Sequence, residues 1–441
     1  MTRPGTTAEL IRTLDEKYVA NSIAFEAMMA TGAFILDGTG MRRSDGSIDL
    51  DAIRARIEAA TWRMPAMRQR LVPTPLRLTT PAWVPVAELD ITHHVTLHPT
   101  VERDDPNDVE VLTGRSNGSM DPDRPLWDFR IVGLDSGRIV LVFRFHHVLG
   151  DALFGFRVGE FISGDEPSTD LPAPTPEERA AIGVAPRTGV GILAIAGRKW
   201  LREQRGIRGA WHEYWRKPYA RRLRRWGGRI LRPVKNAAIA RGGEAARILV
   251  PRHSRYLELD LAAATRHARA LRGSVHDLTV AATLRAAAQL DGSRETVSLL
   301  VPIAGRRRGD GDVRNHISVA KVTVAAGDPI ERIVPAVREQ VHAALAAGTR
   351  RDLGARDWVG YATYVPWRRR PRYLGEARVV GLTAWPAGDP LDDVACLASS
   401  YAGTLTISVT TRATTDIDAI MASIGESFAA SDAVVVAVAA G

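Results

Sequence analysis

Hydrophobic positions along the chain of 441 residues follow two different periods, which predicts a mixture of helices and strands. Residues 50–60 carry apolar side chains at helical spacing. Residues 138–145 are apolar on both faces, as is typical of a strand buried in the middle of a sheet. Asp151 stands where an N-cap belongs and precedes helical spacing over 152–162. The pattern therefore indicates a buried strand that leads directly into a capped helix.

The second half of the chain shows the same mixture of periods. An alternating strand is predicted at 255–259, followed by a helix at 261–271 that Asp260 begins and Gly273 ends. Ser274 and Asp277 resemble a capping arrangement for an alanine-rich helix that reaches residue 290. The remaining predicted elements are strands at 297–302, 317–324 and 405–410 and helices at 329–346 and 417–429. The fold class is therefore α/β or mixed α+β.

The domain organisation is predicted from chain length and loop composition. A chain of this length suits two domains. Residues 163–186 are rich in Pro, Gly, Asp, Glu and Thr, which indicates the loop that leaves the first domain. We expect an N-terminal half over 1–186, an interdomain linker over 187–250 and a C-terminal half over 251–441.

The net charge of +9 is concentrated in one segment, residues 198–241. This segment holds fifteen Lys and Arg side chains against two acids, a surplus of 13 positive charges, so the rest of the chain is slightly acidic. Tryptophan and tyrosine residues lie between the arginines. A basic, tryptophan-rich helix on an anionic membrane surface is the favoured interpretation. A solvated linker comes second, and nucleic-acid binding is a distant third.

Several classes of protein are excluded by composition. The single cysteine, Cys396, leaves no internal disulfide framework and indicates a reducing compartment. It lies in an apolar stretch, so we expect a small buried side chain rather than a nucleophile. No apolar stretch approaches the roughly 20 residues that a membrane-spanning helix needs, and the N-terminus lacks the apolar region of a secretory signal. We expect a cytoplasmic protein that is soluble or lies on the inner face of the membrane.

Candidate chemistry is concentrated at His146 and His147, which follow the predicted buried strand. Neighbouring side chains on a strand point to opposite sides, so only one of the pair can face a given cleft. The ordinary pKa of histidine, about 6.5, suits it to take a proton from a hydroxyl at neutral pH. Asp151 could orient the turn or the ring. A structural role or a metal site are the alternatives, but no clear third metal ligand is nearby, and no metal is expected.

The segment 146–152, His-His-Val-Leu-Gly-Asp-Ala, resembles the HHxxxDG motif of the CoA-dependent acyltransferase superfamily. Other motifs narrow the resemblance to the bacterial wax ester synthase/diacylglycerol acyltransferase family. Pro125, Leu126 and Trp127 are similar to that family's PLW motif, placed just before the histidine strand. Further segments match in the family's order: 89–95, 275–278, 301–303 with 314–318, and 400–403. The resemblance covers nearly the whole chain, and the ordered set is far more specific than HHxxxDG alone.

The resemblance implies two chloramphenicol-acetyltransferase-like domains with the active site in a tunnel between them. It implies that His147 is the general base that activates an acceptor hydroxyl, with His146 beside it. The activated oxygen would attack an acyl-CoA thioester directly, without an acyl-enzyme. Acyl-CoA is then a co-substrate, and no bound cofactor is expected. Asp151 would hold the turn and the ring, while Trp127 would pack in the core and position the histidine strand.

The resemblance also indicates residues on the opposite side of the site. His276 and Asp277 occupy the place of the family's Asn-Asp pair at a helix start, where a donor could stabilise the tetrahedral oxyanion. Helix capping explains Asp277 at least as well. Asn315 could form a hydrogen bond in the site, although satisfying a turn is the favoured interpretation.

Three departures from the family pattern concern the acceptor side. Ala152 replaces the glycine of HHxxxDG, which would be costly if the position needs a positive φ. His276 replaces an asparagine. Residues 363–367, Thr-Tyr-Val-Pro-Trp, replace a turn that usually reads Ser-Asn-Val-Pro-Gly. These departures favour an altered acceptor pocket over lost catalysis.

The resulting prediction is an O-acyltransferase that moves a fatty acyl group from acyl-CoA to the hydroxyl of an alcohol or a diacylglycerol. Two alternatives stay open. One is an enzyme that acylates the hydroxyl or amine of a specialised metabolite. The other is a non-catalytic relative that binds lipid or a protein partner.

Overall fold

The computed structural model describes the greater part of the chain. The described residues are 8–11, 15, 19, 28–74, 80–86, 88–100, 120–185, 189–204, 219, 252–290, 292–304, 317–347, 357–386 and 392–429. Asn315 and most of the basic segment 198–241 lie outside them, so the predictions for these residues stay predictions.

Strands and helices alternate irregularly through the described residues. The strands are β1 (Glu9–Leu10), β2 (Met29–Leu36), β3 (Gln69–Val72), β4 (Ala82–Pro85), β5 (Val95–Leu97), β6 (Trp127–Gly133), β7 (Ile139–His146), β8 (Arg252–Asp260), β9 (Thr296–Ala304), β10 (Ile317–Ala325), β11 (Gly360–Pro366), β12 (Tyr373–Leu374), β13 (Ala377–Trp385), β14 (Val394–Tyr401) and β15 (Thr404–Arg412). The α-helices are α1 (Leu50–Arg63), α2 (Ile91–His94), α3 (Ala152–Ile162), α4 (Pro176–Ile182), α5 (Gly189–Gln204), α6 (Leu261–Ala270), α7 (Val275–Ala288), α8 (Ile330–Ala346) and α9 (Ile417–Ala429). A 3₁₀ helix, Pro65–Arg68, precedes β3.

Two six-stranded mixed sheets dominate the fold. The first sheet has the order β12-β13-β2-β7-β6-β5, and the second has the order β10-β9-β11-β14-β15-β8. A small third sheet has the order β1-β4-β3. Strand β7 runs antiparallel to both of its neighbours, β2 and β6. All eight residues of β7 are buried, which confirms the prediction of a central strand from apolar side chains on both faces.

Each large sheet has its own hydrophobic core. The core of the first sheet includes buried side chains of β6, β7, α1 and α3. The core of the second sheet includes those of α7, α8 and α9. The opposite face of the first sheet carries a smaller apolar cluster that includes Val140, Val142 and Trp385. The two sheets therefore have separate helical layers.

The chain crosses between the two sheets near its C-terminus. Strand β11 belongs to the second sheet, β12 and β13 pair within the first sheet, and β14 returns to the second. Residues 373–385 thus lie in the sheet of the N-terminal half, although they fall inside the predicted C-terminal range 251–441. The predicted boundaries at 186 and 250 are untested, but sheet membership does not divide along them.

Two local predictions need correction. The expected loop 163–186 contains α4, which Thr175 and Glu178 begin with a capping box. The residue that turns the chain after α6 is Arg272, with a φ of 61°, rather than Gly273. Gly273 is needed for space instead, because a Cβ there would lie 2.3 Å from Cγ1 of Val334 on α8.

Candidate active site

The two histidines lie at the end of β7, where backbone hydrogen bonds hold them on both sides. The N–H of His146 donates to the carbonyl of Leu126 at 2.9 Å, and the N–H of His147 donates to the carbonyl of Met28 at 2.7 Å. The N–H of Leu149 returns to the carbonyl of His146 at 2.8 Å, which closes a turn. The PLW-like motif therefore contacts His146 directly, through the backbone of Leu126.

The two imidazole rings have different surroundings. His146 is completely buried, and its Nδ1 accepts a hydrogen bond from the N–H of Val148 at 3.1 Å. An Nδ1 that accepts carries no proton, so the neutral ring of His146 holds its proton on Nε2. His147 is only partly buried. Of the two rings, His147 is thus the one that a substrate can approach with less rearrangement.

Asp151 begins α3 as its N-cap. Its Oδ1 accepts a hydrogen bond from the N–H of Leu153 at 3.0 Å, and the residue is 5% exposed. This bond satisfies one of the free donors of the first turn, so it explains why the helix begins here. The predicted cap is confirmed, and the aspartate anchors the turn that follows the histidines.

Ala152 is the first residue of α3, and its backbone is unstrained. Among the described residues other than glycine, only Arg272 and Ala402 have a positive φ. The departure from glycine at Ala152 therefore carries no backbone penalty. The crowded position is Gly150, where a Cβ would lie 2.4 Å from the Cβ of Phe154.

Trp127 is a core residue that links three segments. It is 1% exposed, and its indole N–H donates to the carbonyl of Met67 at 2.7 Å. Its ring stacks on His94 with centroids 4.3 Å apart, and Nδ1 of His94 lies 2.6 Å from the carbonyl of Trp127. Burial lowers the pKa of His94 to about 4, so this ring is neutral near pH 7. Trp127 is therefore buried in the core, as predicted.

His94 contacts Trp127, and the sequence did not reveal this contact. It lies in the segment 89–95, which only the family resemblance marked. The available signal was a second His-His pair, His93 and His94, in which one ring is exposed and the other is 2% exposed. A neutral histidine whose Nδ1 bonds a carbonyl carries its proton on Nδ1.

His276 and Asp277 lie together at the start of α7. Asp277 forms a capping box with Ser274: its carboxylate accepts from the N–H and hydroxyl of Ser274 at 2.9 and 2.8 Å, and its own N–H donates to Oγ of Ser274 at 3.2 Å. Burial raises the pKa of Asp277, but hydrogen bonds from His276 and Ser274 lower it by more, so the net shift is downward. Capping therefore accounts fully for Asp277.

The geometry of His276 restricts what its neutral ring can do. Its Nδ1 lies 3.4 Å from Oδ1 of Asp277. If the proton sits on Nδ1 to face this carboxylate, Nε2 can only accept a hydrogen bond. Donation from Nε2 to an oxyanion would then require the doubly protonated ring.

The seam between the two sheets is built around Tyr401. Its hydroxyl donates to the carbonyl of Val379 at 3.0 Å and accepts from the N–H of Arg372 at 2.8 Å. The ring of Trp367 packs against Tyr401, with centroids 5.0 Å apart, and against Phe34 and Phe156. The departure at residues 363–367 thus places a large aromatic ring between the α3 side and the end of β14.

The predicted site residues therefore fall into two groups. His146, His147, Asp151 and the residues Pro125, Leu126 and Trp127 gather around β6, β7 and the start of α3, while His276 and Asp277 lie at the start of α7. Among the described residues, no group of three or more His, Cys, Asp or Glu side chains is arranged to hold a metal ion.

Two further expectations concern the whole chain. Burial raises the pKa of the Cys396 thiol to about 12, as expected for a small core side chain and not for a nucleophile. Within the part of the chain that the structure describes, no helix is both long and apolar enough to cross a membrane.

Comparison with known proteins places this arrangement in context. The model of the wax ester synthase/diacylglycerol acyltransferase catalytic domain matches residues 23–279. A candidate diacylglycerol O-acyltransferase of Mycobacterium tuberculosis is 29% identical over 161 residues, which cover 34% of this chain and 32% of the relative. The match thus spans about a third of the length of that curated relative.

Two solved structures share the fold over nearly the whole chain. The wax ester synthase/diacylglycerol acyltransferase from Marinobacter aquaeolei VT8 is 14% identical with a TM-score of 0.58, and the match covers 95% of this chain and 98% of that one. The first condensation domain of the calcium-dependent antibiotic synthetase, in complex with a substrate analogue, is 13% identical with a TM-score of 0.62, covering 96% and 95%. The predicted mixed fold of the chloramphenicol acetyltransferase type is confirmed.

Proposed function

Because this chain belongs to the wax ester synthase/diacylglycerol acyltransferase family, we propose that it transfers a fatty acyl group from acyl-CoA to the hydroxyl of an alcohol or a diacylglycerol. The observation that carries this proposal is the contrast between the paired histidines. His146 is buried with its Nδ1 engaged, whereas the neighbouring His147 is partly exposed beside the capped turn of Asp151.

The chemistry assigned to His147 is general base catalysis. The neutral ring accepts the proton of the acceptor hydroxyl as its oxygen bonds to the thioester carbonyl carbon. Collapse of the tetrahedral intermediate breaks the carbon–sulfur bond, and His147 returns the proton to the departing CoA sulfur. Atoms and charge balance without a covalent acyl-enzyme, a metal or a bound cofactor.

The surrounding residues are proposed to position this base. Asp151 fixes the first turn of α3, and His146 is held by Leu126 and Val148 on either side. Both contacts restrict where the backbone places His147, and misplacement by about 1 Å can lower a rate a hundredfold.

The acceptor side is proposed to involve His276. Because a neutral ring with its proton towards Asp277 offers Nε2 as an acceptor, His276 is better suited to receive the hydroxyl of an acceptor than to stabilise an oxyanion. Asn315 remains a candidate for either role, outside the described residues.

Acylation of a specialised metabolite is the second candidate function. It is favoured by the hydroxyl of Tyr364, which lies 2.8 Å from Oγ of Ser400, and by the ring of Trp367 in the seam. Both are larger than the Asn and Gly that the family resemblance predicts at these positions, so they would select acceptors of a different shape.

The basic segment 198–241 is proposed to hold the protein on an anionic membrane surface, where acyl chains and lipid acceptors are available. Sedimentation with vesicles that contain anionic lipid, at low salt, tests this proposal. Vesicles of neutral lipid are the matched control, and failure to co-sediment with the anionic vesicles would contradict it.

The catalytic proposal is tested by release of free CoA from long-chain acyl-CoA in the presence of alcohols, diacylglycerol and amines. We expect His147→Ala to lower turnover by about 10²–10⁴-fold while the protein stays folded. His342→Ala, which changes an exposed histidine on α8, is the matched control and should leave turnover unchanged.

Each outcome of this assay separates the candidates. Turnover with alcohols or diacylglycerol supports the first, and turnover only with other hydroxyls or amines supports the second. Retained activity in His147→Ala would remove the base assignment. Absence of turnover with every acceptor would favour a non-catalytic relative.

A further inference from the structure

Four buried polar side chains lie on contiguous positions of one face of the first sheet. Trp385 pairs with Thr31 across β13 and β2, and Thr31 pairs with Arg144 across β2 and β7. Paired residues of antiparallel strands project from the same face. Thr383 lies two residues from Trp385 on the same strand, hence also on this face. We call Thr31, Arg144, Thr383 and Trp385 the polar row.

The polar row is closed to solvent, and each of its four side chains has one polar atom without a hydrogen-bond partner among the described residues. Trp385 is 1% exposed, and the other three residues are 0–4% exposed. Oγ1 of Thr31, Nη1 of Arg144, Oγ1 of Thr383 and Nε1 of Trp385 are buried without a hydrogen-bond partner in the described structure. Buried polar atoms are nearly always satisfied, so neighbouring exceptions of this kind require an explanation.

The charged groups at the polar row carry a positive surplus, which favours binding of an anion. The carboxylate of Asp128 accepts hydrogen bonds from Nε of Arg144, at 2.9 Å, and from Nη2 of the same guanidinium. Nη1 of Arg144 therefore stays available to donate to another acceptor. Arg130, on the same face of β6, lies 3.9 Å from Asp128, so two guanidinium groups face one carboxylate. The pKa of nearby His98 is lowered, first by burial and then by the charge of Arg130, with Arg144 adding to the effect.

We propose that the polar row binds a carboxylate group of a ligand. Arg144 and Trp385 supply N–H donors that can only donate, and the hydroxyls of Thr31 and Thr383 can donate as well. A carboxylate offers two oxygens with about four lone-pair sites, which suits this set of donors on neighbouring positions of one face. Its charge also offsets the local positive surplus, which a neutral carbonyl oxygen would not do.

The position of the polar row relative to the histidines indicates the class of ligand. His146 lies two residues beyond Arg144 on the same face of β7, about 7 Å along the strand, and His147 stands after the end of the strand, where the chain turns. If the proposed acyl transfer is correct, on which this step rests, the ligand is an acceptor with a hydroxyl several carbons from its carboxylate. A free fatty acid carries the same group and is distinguished from such an acceptor by the assays.

Binding is measured first, because it does not depend on turnover. Isothermal titration calorimetry compares hexanoate, 6-hydroxyhexanoate and methyl 6-hydroxyhexanoate on the full chain. We expect both carboxylates to bind at least tenfold more tightly than the ester. Trp385→Phe and Thr31→Val should each weaken carboxylate binding by about fivefold or more and leave the ester unchanged. Trp385→Phe keeps an aromatic ring and Thr31→Val keeps the branched shape of the side chain. Both variants leave the pair of Arg144 and Asp128 intact.

Turnover then separates the two sources of the carboxylate. If 6-hydroxyhexanoate is an acceptor, CoA release should show a lower KM for it than for its methyl ester, and Trp385→Phe should remove that difference with kcat little changed. If carboxylates bind but only neutral alcohols are acylated, the polar row binds a fatty acid that is not an acceptor. If no acceptor turns over, the acyl-transfer proposal fails while calorimetry still decides the carboxylate site.

Thermal stability supplies an independent readout. Replacing an unsatisfied buried hydroxyl by a methyl group removes a desolvation cost, so Thr31→Val should leave the Tm unchanged or raise it by about 1–3 °C. Thr283→Val is the matched control, because that buried hydroxyl is satisfied by the carbonyl of Thr279 at 2.8 Å and its loss should lower the Tm. Carboxylate binding that is absent, or unchanged in both polar-row variants, would overturn the proposal.

Discussion

The buried polar side chains of the two large sheets differ in how they are hydrogen-bonded. In the second sheet, Ser254 and Thr410 form a cross-strand hydrogen bond of 2.8 Å, and Ser298 and Thr323 form another of the same length. In the first sheet, the polar row combines a guanidinium, an indole and two hydroxyls on contiguous positions, and each group has one buried atom without a partner in the described structure. Paired hydroxyls stabilise a strand register, whereas neighbouring unsatisfied donors on one face are suited to bind a ligand.

Buried hydroxyls without a partner in the described structure also occur in the second half of the chain. Ser408 and Thr411 lie on opposite faces of β15, and Ser423 lies on α9. These three hydroxyls do not share one strand face, whereas the members of the polar row do. The arrangement of such unsatisfied atoms is therefore evidence for a ligand site, whereas their presence alone is not.

The largest expected effect comes from removing one buried aromatic ring in each half of the molecule. In the first half the loss should lower both stability and activity, whereas in the second half it should lower stability alone. Trp127→Ala and Phe428→Ala each remove a fully buried aromatic ring and should lower the free energy of unfolding by about 3–5 kcal/mol. Trp127→Ala should also reduce CoA release per folded molecule, because Trp127 adjoins the Leu126 carbonyl that holds His146. Urea unfolding and single-turnover assays measure both quantities. Equal activity per folded molecule in the two variants would contradict this coupling.

A smaller effect concerns the acid sensitivity of the first sheet. The pKa of His94 in the folded protein, about 4, lies below its ordinary value of 6.5, so between these values the unfolded chain binds a proton that the folded chain does not. This group therefore lowers the free energy of unfolding by about 3 kcal/mol as the pH falls from above 6.5 to 4. In His94→Phe, which keeps a ring against Trp127, urea unfolding at pH 7 and pH 4.5 should show a weaker pH dependence than in the wild type. An unchanged dependence would rule out His94 as its source.

The smallest effect compares the two helix starts. The pKa of Asp277 is depressed, so its stabilisation is present above the unfolded value, near 3.9, and is lost as the pH falls through the lower folded value. Asp277→Ala should lower the free energy of unfolding by about 1 kcal/mol at pH 7, and the difference from the wild type should shrink in strong acid.

Asp151→Asn keeps a side-chain oxygen that accepts from the N–H of Leu153, so it should alter the free energy of unfolding little. Any fall in CoA release in this variant therefore reports on positioning of the base. Urea unfolding across pH and the CoA assay measure these changes.

Much of the fold was predictable because its local signals agree. The strand at 138–145, the N-cap Asp151, the helix 152–162 and the elements predicted in the second half of the chain all appear with nearly the expected bounds. Most of the remaining strands were not predicted, and β2 and β14 are the longest buried examples. Both are rich in small residues and buried on nearly every position, so they show neither alternation nor a helical period.

The candidate site was predictable only in part. The motif marked His146, His147 and Asp151, and the capping pattern of Ser274 and Asp277 explained the start of α7. His94 and the polar row were not visible, because their meaning depends on contacts between residues far apart in sequence. No local pattern indicates that a threonine at 31, an arginine at 144 and a tryptophan at 385 share one face.

The sequence by itself determined the secondary structure around the histidines, the caps of the following helices and the family to which the ordered motifs belong. These features depend on residues within a few positions of one another, where side-chain period and hydrogen-bonding capacity act directly. The tertiary structure decided which histidine is partly exposed, which residues hold Trp127 and how β13 crosses into the first sheet. Those outcomes depend on register between distant strands, which brings polar atoms together or leaves them without partners.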